Sequence, residues 1–361
     1  MTRIRPIARS TRTHDEELSH RLSRRGMLGV AAGATAAALV GSAAHASAAT
    51  ASATRESDAE PAPAPAHGSP ALPKGRLGIQ LYTLRDKVAS VGFATVFSEL
   101  ERYGYSEVEF AGYTQDAVGP ISLDELRALA HDHGLTPIGT HVGYADDNNP
   151  DAYTFAQNLT KVLDDAETLG LPHVGTASNP GRYGQTVDAW KRAAEEFNTY
   201  GAAARARGMK FYQHNHSDEF AFATDQPDVR LYDVLLEETD PDLVHLEMDI
   251  YWAYAGQYRF SKRPDGTPAP FEPLDYVLKA PQRYPLFHVK DGVHDETATD
   301  GYRMVDVGDG DIDYQTFLTV VGRTRRGHDH HWQVEHDTPA DSFSTARRSA
   351  AYLLKLREGR G

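Results

Sequence analysis

Short apolar, β-type runs recur along this chain, and nearly every one ends on a group able to bind a metal or move a proton. Gln80 and Tyr82, Glu109, His141, His214 with His216, Glu247 with Asp249, His288 with Lys290, and Glu335 occupy those ends. Core strands finish on apolar residues unless their ends serve another purpose. Side chains two apart on a strand point the same way, so His214 and His216, Glu247 and Asp249, and His288 and Lys290 can each face one lumen. Imidazole and carboxylate donors converging from several strands suit one divalent ion, such as Mn2+, Co2+, Zn2+ or Mg2+. The chain has no cysteine, which excludes thiolate zinc sites, iron–sulfur clusters and a disulfide scaffold.

The runs lie at 77–82, 107–110, 136–142, 173–176, 210–214, 243–249, 286–290 and 331–335, with starts 29 to 45 residues apart. Helical stretches fill the intervals, most clearly over 93–103, 123–133, 152–169 and 186–207. Ser122 with Glu125 forms a capping box at the second of these, and Gly104, Gly134, Gly170 and Gly208 follow the four helix ends. Regular strand and helix alternation with no Gly-x-Gly-x-x-Gly turn predicts a single closed (β/α)8 TIM barrel rather than a doubly wound sheet. The longest intervals follow the sixth and seventh runs, so extra loop lies over the C-terminal mouth, where sites of this fold are built.

Seven segments in order carry a family resemblance: LGIQLYTLRD (77–86), GYSEVEF (104–110), YQHNHSDEF (212–220), LEMDIYW (246–252), PLFHVKDG (285–292), VGDGDIDY (307–314) and QVEHD (333–337). Together they resemble the xylose isomerase-like TIM barrel superfamily, the sugar phosphate isomerase/epimerase group. The resemblance implies one divalent ion held by residues of the fifth to eighth strands, here His214, Asp249, His288 and Glu335. HNH stands where many epimerases carry Glu-Asn-His, which removes one member of a two-glutamate acid/base pair. Spacing leaves open whether His214 or His216 is the fifth-strand ligand. A metal that polarises a carbonyl and its neighbouring hydroxyl lowers the pKa of the intervening C–H, and a nearby base removes that proton. Glu335, His216, Lys290 and Glu109 are the catalytic candidates, with Glu335 as the base if it is only loosely bound to the metal and Lys290 alternatively steadying the enolate oxygen. Gln80, Tyr82, His141 and Trp252 are the substrate-binding candidates, while Gly308, Gly310 and Asp313 are expected to shape a turn and cap the helix after it.

The formal net charge is −14, and residues 1–48 run against it with seven arginines and three acids. That local +4 leaves −18 on the remainder, which argues against a nucleic acid partner and against an abasic-site endonuclease. The basic stretch ends in Arg24-Arg25 and passes into an Ala/Gly-rich apolar run to about Ala44. This pattern resembles a twin-arginine export signal, departing from it at Met27 and Gly29, with cleavage expected near Ala46 or Ala48. The Ala/Pro-rich stretch 49–74 reads as a disordered linker and 75–361 as the barrel. The expected protein is exported through the twin-arginine machinery and keeps no stable membrane span once the signal is removed. It acts on a small-molecule carbohydrate, and assembly into a homo-oligomer is compatible with the sequence. The resemblance implies a metal-dependent isomerase or epimerase. A lyase acting on 3-keto glycosides by the same proton abstraction is the alternative, and a secreted sugar-binding module without chemistry is the rival class.

Overall fold

The computed structural model describes residues 72–112, 121–327 and 329–357. The chain divides into units Met1–Ala64 and Pro65–Gly361, and the described residues all belong to the second. The expected export signal and all but the last three residues of the expected linker lie outside the described residues.

The eight runs form eight parallel strands: β1 (Leu77–Gln80), β2 (Glu107–Phe110), β3 (Thr136–Thr140), β4 (His173–Thr176), β5 (Lys210–His214), β6 (Val244–Asp249), β7 (Leu286–Val289) and β10 (His331–Val334). They pair in the order β3-β2-β1-β10-β7-β6-β5-β4. A parallel bridge from His141 to Gly175 joins the two remaining edges, with the Val142 N–H donating to the Gly175 carbonyl at 2.8 Å. The sheet is thereby a nearly closed TIM barrel.

Helices α1 (Arg85–Tyr103), α2 (Leu123–Asp132), α3 (Phe155–Thr168), α4 (Val187–Ala206) and α5 (Leu231–Glu238) follow the first strands. After them come α6 (Ile250–Arg259), α7 (Pro273–Lys279), α8 (Tyr314–Gly322) and α9 (Ser342–Arg357). The capping box forms as the sequence implies: Glu125 N–H donates to Ser122 Oγ at 3.2 Å and Ser122 N–H to Glu125 Oε2 at 2.9 Å. The first helix begins earlier than the expected residue 93. Helical turns from Arg85 are joined to it across Gly92, whose φ of 82° breaks the periodicity from which the start was read.

Strand alternation separates two environments. Phe211, Leu246, Met248, Phe287, Trp332 and Val334 join the apolar core beneath the helices. Tyr212, Ile138 and Leu286 form a small apolar cluster of their own. Titratable residues alternate with the core residues on the same strands, and so the lumen above that cluster is polar.

The long interval after β7 contains an antiparallel hairpin, β8 (Asp291–His294) with β9 (Tyr302–Val305). Asp291 fastens it. Its carboxylate accepts the N–H groups of Gly292, Gly308 and Gly310 at 2.8, 2.9 and 3.2 Å. A Cβ on Gly310 would stand 2.0 Å from Asp291 Oδ1, so only glycine fits there. Asp313 caps α8 through the Thr316 N–H at 2.9 Å, as its position implies.

Candidate metal centre

Four donor atoms from four consecutive strands of the sheet meet in the lumen: His214 Nε2 of β5, Asp249 Oδ2 of β6, His288 Nδ1 of β7, and Glu335 Oε2 just beyond β10. Register places Asp249 opposite His288 and His288 opposite Gln333, two residues before Glu335. Asp249 also caps α6, where Oδ1 accepts the Trp252 N–H at 2.9 Å. That bond turns Oδ2 toward the other donors. Asn215, the centre of the HNH segment, ties β5 to β6 by exchanging hydrogen bonds with the Asp249 backbone at 3.2 Å each.

The spacings fit a cation. His214 Nε2 is 2.9 Å from His288 Nδ1 and 3.3 Å from Asp249 Oδ2; His288 Nδ1 is 2.7 Å from Glu335 Oε2 and 3.7 Å from Asp249 Oδ2. Ligand bonds of about 2.1 Å in a tetrahedral set put neighbouring donors about 3.4 Å apart. Two ring nitrogens facing each other need either a proton or a cation between them. Burial, reinforced by His288, pushes His214 down to about 3, so this imidazole is neutral and able to ligate. Burial alone would raise Asp249 and Glu335, yet Lys290 and the neighbouring histidines hold both well below the usual carboxylate range. These residues can hold a divalent ion.

Lys290 brings a second cationic group to the same oxygens. Its Nζ lies 2.9 Å from Asp249 Oδ2, 2.8 Å from Glu335 Oε2 and 2.8 Å from Asp337 Oδ1. Burial opposes its charge, but Asp249, Asp337 and Glu335 outweigh burial and raise it well above the usual lysine value. Trp252 stands beside it, with the ammonium 5.6 Å from the ring centroid.

On the other side of His288 lies a second set. His141 Nε2 is 2.7 Å from Glu247 Oε2 and 3.3 Å from Glu109 Oε1. His288 Nε2 is 2.9 Å from Glu109 Oε2 and 3.2 Å from Glu247 Oε1. The Tyr212 hydroxyl donates to Glu109 as well. Burial and the Glu247 charge raise Glu109, whereas Glu247, despite burial, is lowered by His288 and His141.

Of the residues singled out in the sequence, the structure gathers His214, Asp249, His288, Glu335 and Lys290 at one point and sets Glu109 with His141 behind His288. His216 stands aside from the donor set, its ring 4.9 Å from that of His214 and 5.8 Å from that of Trp252. Burial and Lys290 lower its pKa, so it is a neutral imidazole. Gln80 is fully buried and accepts the Tyr82 N–H at 3.2 Å, and Tyr82 lies under the Arg85 guanidinium at 4.0 Å. Three contributors were given no role by the sequence: Tyr212, Glu247 and Asp337. Each stands two residues from a selected position (His214, Asp249 and Glu335), and Glu247 was already among the polar strand ends. An open cleft of about 760 Å³ lies at the outer end of α6 against the β8–β9 hairpin, lined by Tyr258, Phe260, Lys262, His294 and Tyr302. None of the four donors lines it. No helix among the described residues is long and apolar enough to cross a membrane.

A family model described as xylose isomerase-like TIM barrel matches residues 97–356. An inosose dehydratase from Clostridium perfringens is 26% identical over 155 residues, covering 39% of this chain and 46% of the relative. The match thus spans about half the length of that curated relative. A sugar phosphate isomerase/epimerase structure from Parabacteroides distasonis superposes with a TM-score of 0.60 at 25% identity, covering 77% of this chain and 97% of that one. The IolI protein, solved with a zinc atom, gives a TM-score of 0.56 at 15% identity, covering 78% and 98%.

Proposed function

The chain belongs to the xylose isomerase-like TIM barrel family, and from that membership we propose a divalent-metal-dependent carbohydrate enzyme that removes a proton next to a carbonyl. The observation that carries this is the convergence of His214 Nε2, Asp249 Oδ2, His288 Nδ1 and Glu335 Oε2 beside a buried ammonium. The bound ion would polarise the substrate carbonyl and its neighbouring hydroxyl. His216 is the base: it is neutral, outside the donor set, and next to Trp252, against whose ring a sugar can stack. Lys290 stays protonated and steadies the developing enolate oxygen.

Among outcomes of that proton loss we favour elimination. In a 3-keto glycoside the C2–H bond breaks toward His216, a C1–C2 double bond forms, and the C1–O bond breaks to release the aglycone, which leaves with a proton from solvent. Similarity to an inosose dehydratase, named for loss of water, supports a carbon–oxygen lyase. Isomerisation or epimerisation is the second reading, supported by the Parabacteroides structure. Export through the twin-arginine route belongs to the same proposal, because glycosides occur outside the cell.

Metal analysis of the purified protein, beside the His288→Ala and Asp249→Asn variants, tests the metal; asparagine is chosen at 249 because it keeps the α6 cap. About one equivalent of divalent metal is expected in the parent and none in the variants. The parent should then release aglycone from 3-keto glycosides, with at least a hundredfold loss in His216→Gln. Solvent deuterium entering the sugar without release would move the assignment to isomerase or epimerase. Sugar binding with neither release nor exchange would leave a binding module.

A further inference from the structure

We propose that Glu109 and Glu247 form a buried acceptor pair that keeps the proton of His288 on Nε2 and thereby presents Nδ1 to the cation; this rests on the metal-site reading given above. The two are positioning residues, since their oxygens face Nε2 of His288 and of His141 rather than the four donor atoms.

Geometry carries the inference. His288 Nε2 points between Glu109 Oε2 at 2.9 Å and Glu247 Oε1 at 3.2 Å, while Nδ1 of the same ring faces Glu335 and His214. An imidazole that ligates through one nitrogen keeps its proton on the other only where an acceptor holds it. Here the Glu109 carboxylate accepts it at 2.9 Å and Glu247 Oε1 flanks it at 3.2 Å in ion-pair contact, and both residues are fully buried. His141 closes the ring from the far side by approaching the remaining oxygen of each, Glu247 Oε2 at 2.7 Å and Glu109 Oε1 at 3.3 Å. The two Nε2 atoms therefore stand among the four carboxylate oxygens, and neither carboxylate can rotate away without stranding a buried charge.

The two imidazoles and two carboxylates share four contacts of 2.7 to 3.3 Å, and their atoms lie close enough together to hold an ion of their own in place of the shared protons. Tyr212 adds a further donor to Glu109. His214, the other imidazole of the donor set, has no such support, because its Nδ1 is buried without a hydrogen-bond partner among the described residues. His288 is thus the ligand whose orientation the fold sets in advance.

The test uses the full chain with histidine selectively labelled with 15N, and the variants Glu109→Gln and Glu247→Gln. Two readouts are needed. Zinc affinity, measured by competition with a chromophoric chelator, should fall about 10- to 100-fold in each variant with the stoichiometry unchanged. The NMR spectrum should contain a slowly exchanging, low-field imidazole N–H that disappears in His288→Gln and shifts or broadens in each glutamine variant. This resonance does not require zinc, so it decides the positioning role even if the parent binds no metal. An affinity within twofold of the parent, or an N–H resonance that both variants leave untouched, overturns the proposal. Two equivalents of zinc in the parent, one of them lost in Glu247→Gln, would also overturn it by making the quartet a second ion site. Absence of zinc binding beside an intact His288 resonance would sink the metal reading alone.

Discussion

Lys290 is 1% exposed and lies within 2.9 Å of a carboxylate oxygen on each of Asp249, Glu335 and Asp337. Removing one partner of a buried charge cluster leaves the others uncompensated, at about 3–5 kcal/mol. Lys290→Met is therefore expected to lower the unfolding free energy by about that amount in metal-free buffer. Saturating zinc should recover part of the loss, because a dication between Asp249 and Glu335 replaces the missing charge. Urea titrations with and without metal measure both, and an unchanged midpoint without metal would remove Lys290 from the charge balance. The sequence exposed this residue because it follows His288 by two, and the same spacing pairs His214 with His216 and Glu247 with Asp249. Spacing did not say which member of a pair meets a partner. Packing decided that His214 approaches Asp249 while His216 turns to Trp252. Glu109 was a base candidate by position alone; its contacts to Tyr212, His141 and His288 come from other strands and could be seen only once the barrel closed.

At the scale of elements, the hairpin β8–β9 and the turn at Gly308 and Gly310 hang from the Asp291 carboxylate. Asp291→Ala strands the buried Gly292 N–H and releases those of Gly308 and Gly310, which lie nearer the surface, and should cost about 1–3 kcal/mol. Hydrogen exchange is expected to quicken at those three amides and along β8 and β9 while the barrel strands stay protected. Uniform exchange across hairpin and barrel would show that the carboxylate does not fasten the hairpin separately. The residue types of VGDGDIDY marked a turn and a helix cap. The attachment of that turn to the first residue after Lys290 was not legible, because it joins positions about 20 residues apart through side chain to backbone bonds. Likewise the start of α1 at Arg85 escaped the apolar periodicity, which Gly92 interrupts.

For the whole molecule, charge and burial together set how stability responds to pH. His173 is pushed down to about 3 by burial and by His331, and His245 to about 4 by burial and by Lys210. Both stay neutral in the fold, whereas the unfolded chain takes up protons below about 6.5. Unfolding then binds protons, so this contribution is fully present above about 6.5 and is lost as pH falls toward 3. The lowered Asp249 and Glu335 act in the same direction through the carboxylate range. Glu219, pushed up to about 8 by burial, acts in the opposite direction as pH rises. The histidine share is therefore read by difference: the change in Tm from pH 5 to pH 7.5 should be less positive in His173→Gln than in the parent, and an equal change in both would contradict this. The sequence by itself determined the number of barrel strands, their order along the chain, the barrel and the strand ends that carry chemistry, but not the β8–β9 hairpin. Those properties follow from local periodicity and from the two-residue repeat of a strand. Only the tertiary structure decided which ring nitrogen faces which carboxylate, that His288 lies between two sets of partners, and that Lys290 pairs with Asp249, Glu335 and Asp337. Such contacts join residues up to about 180 positions apart, and they depend on barrel closure and strand register, which no local pattern encodes.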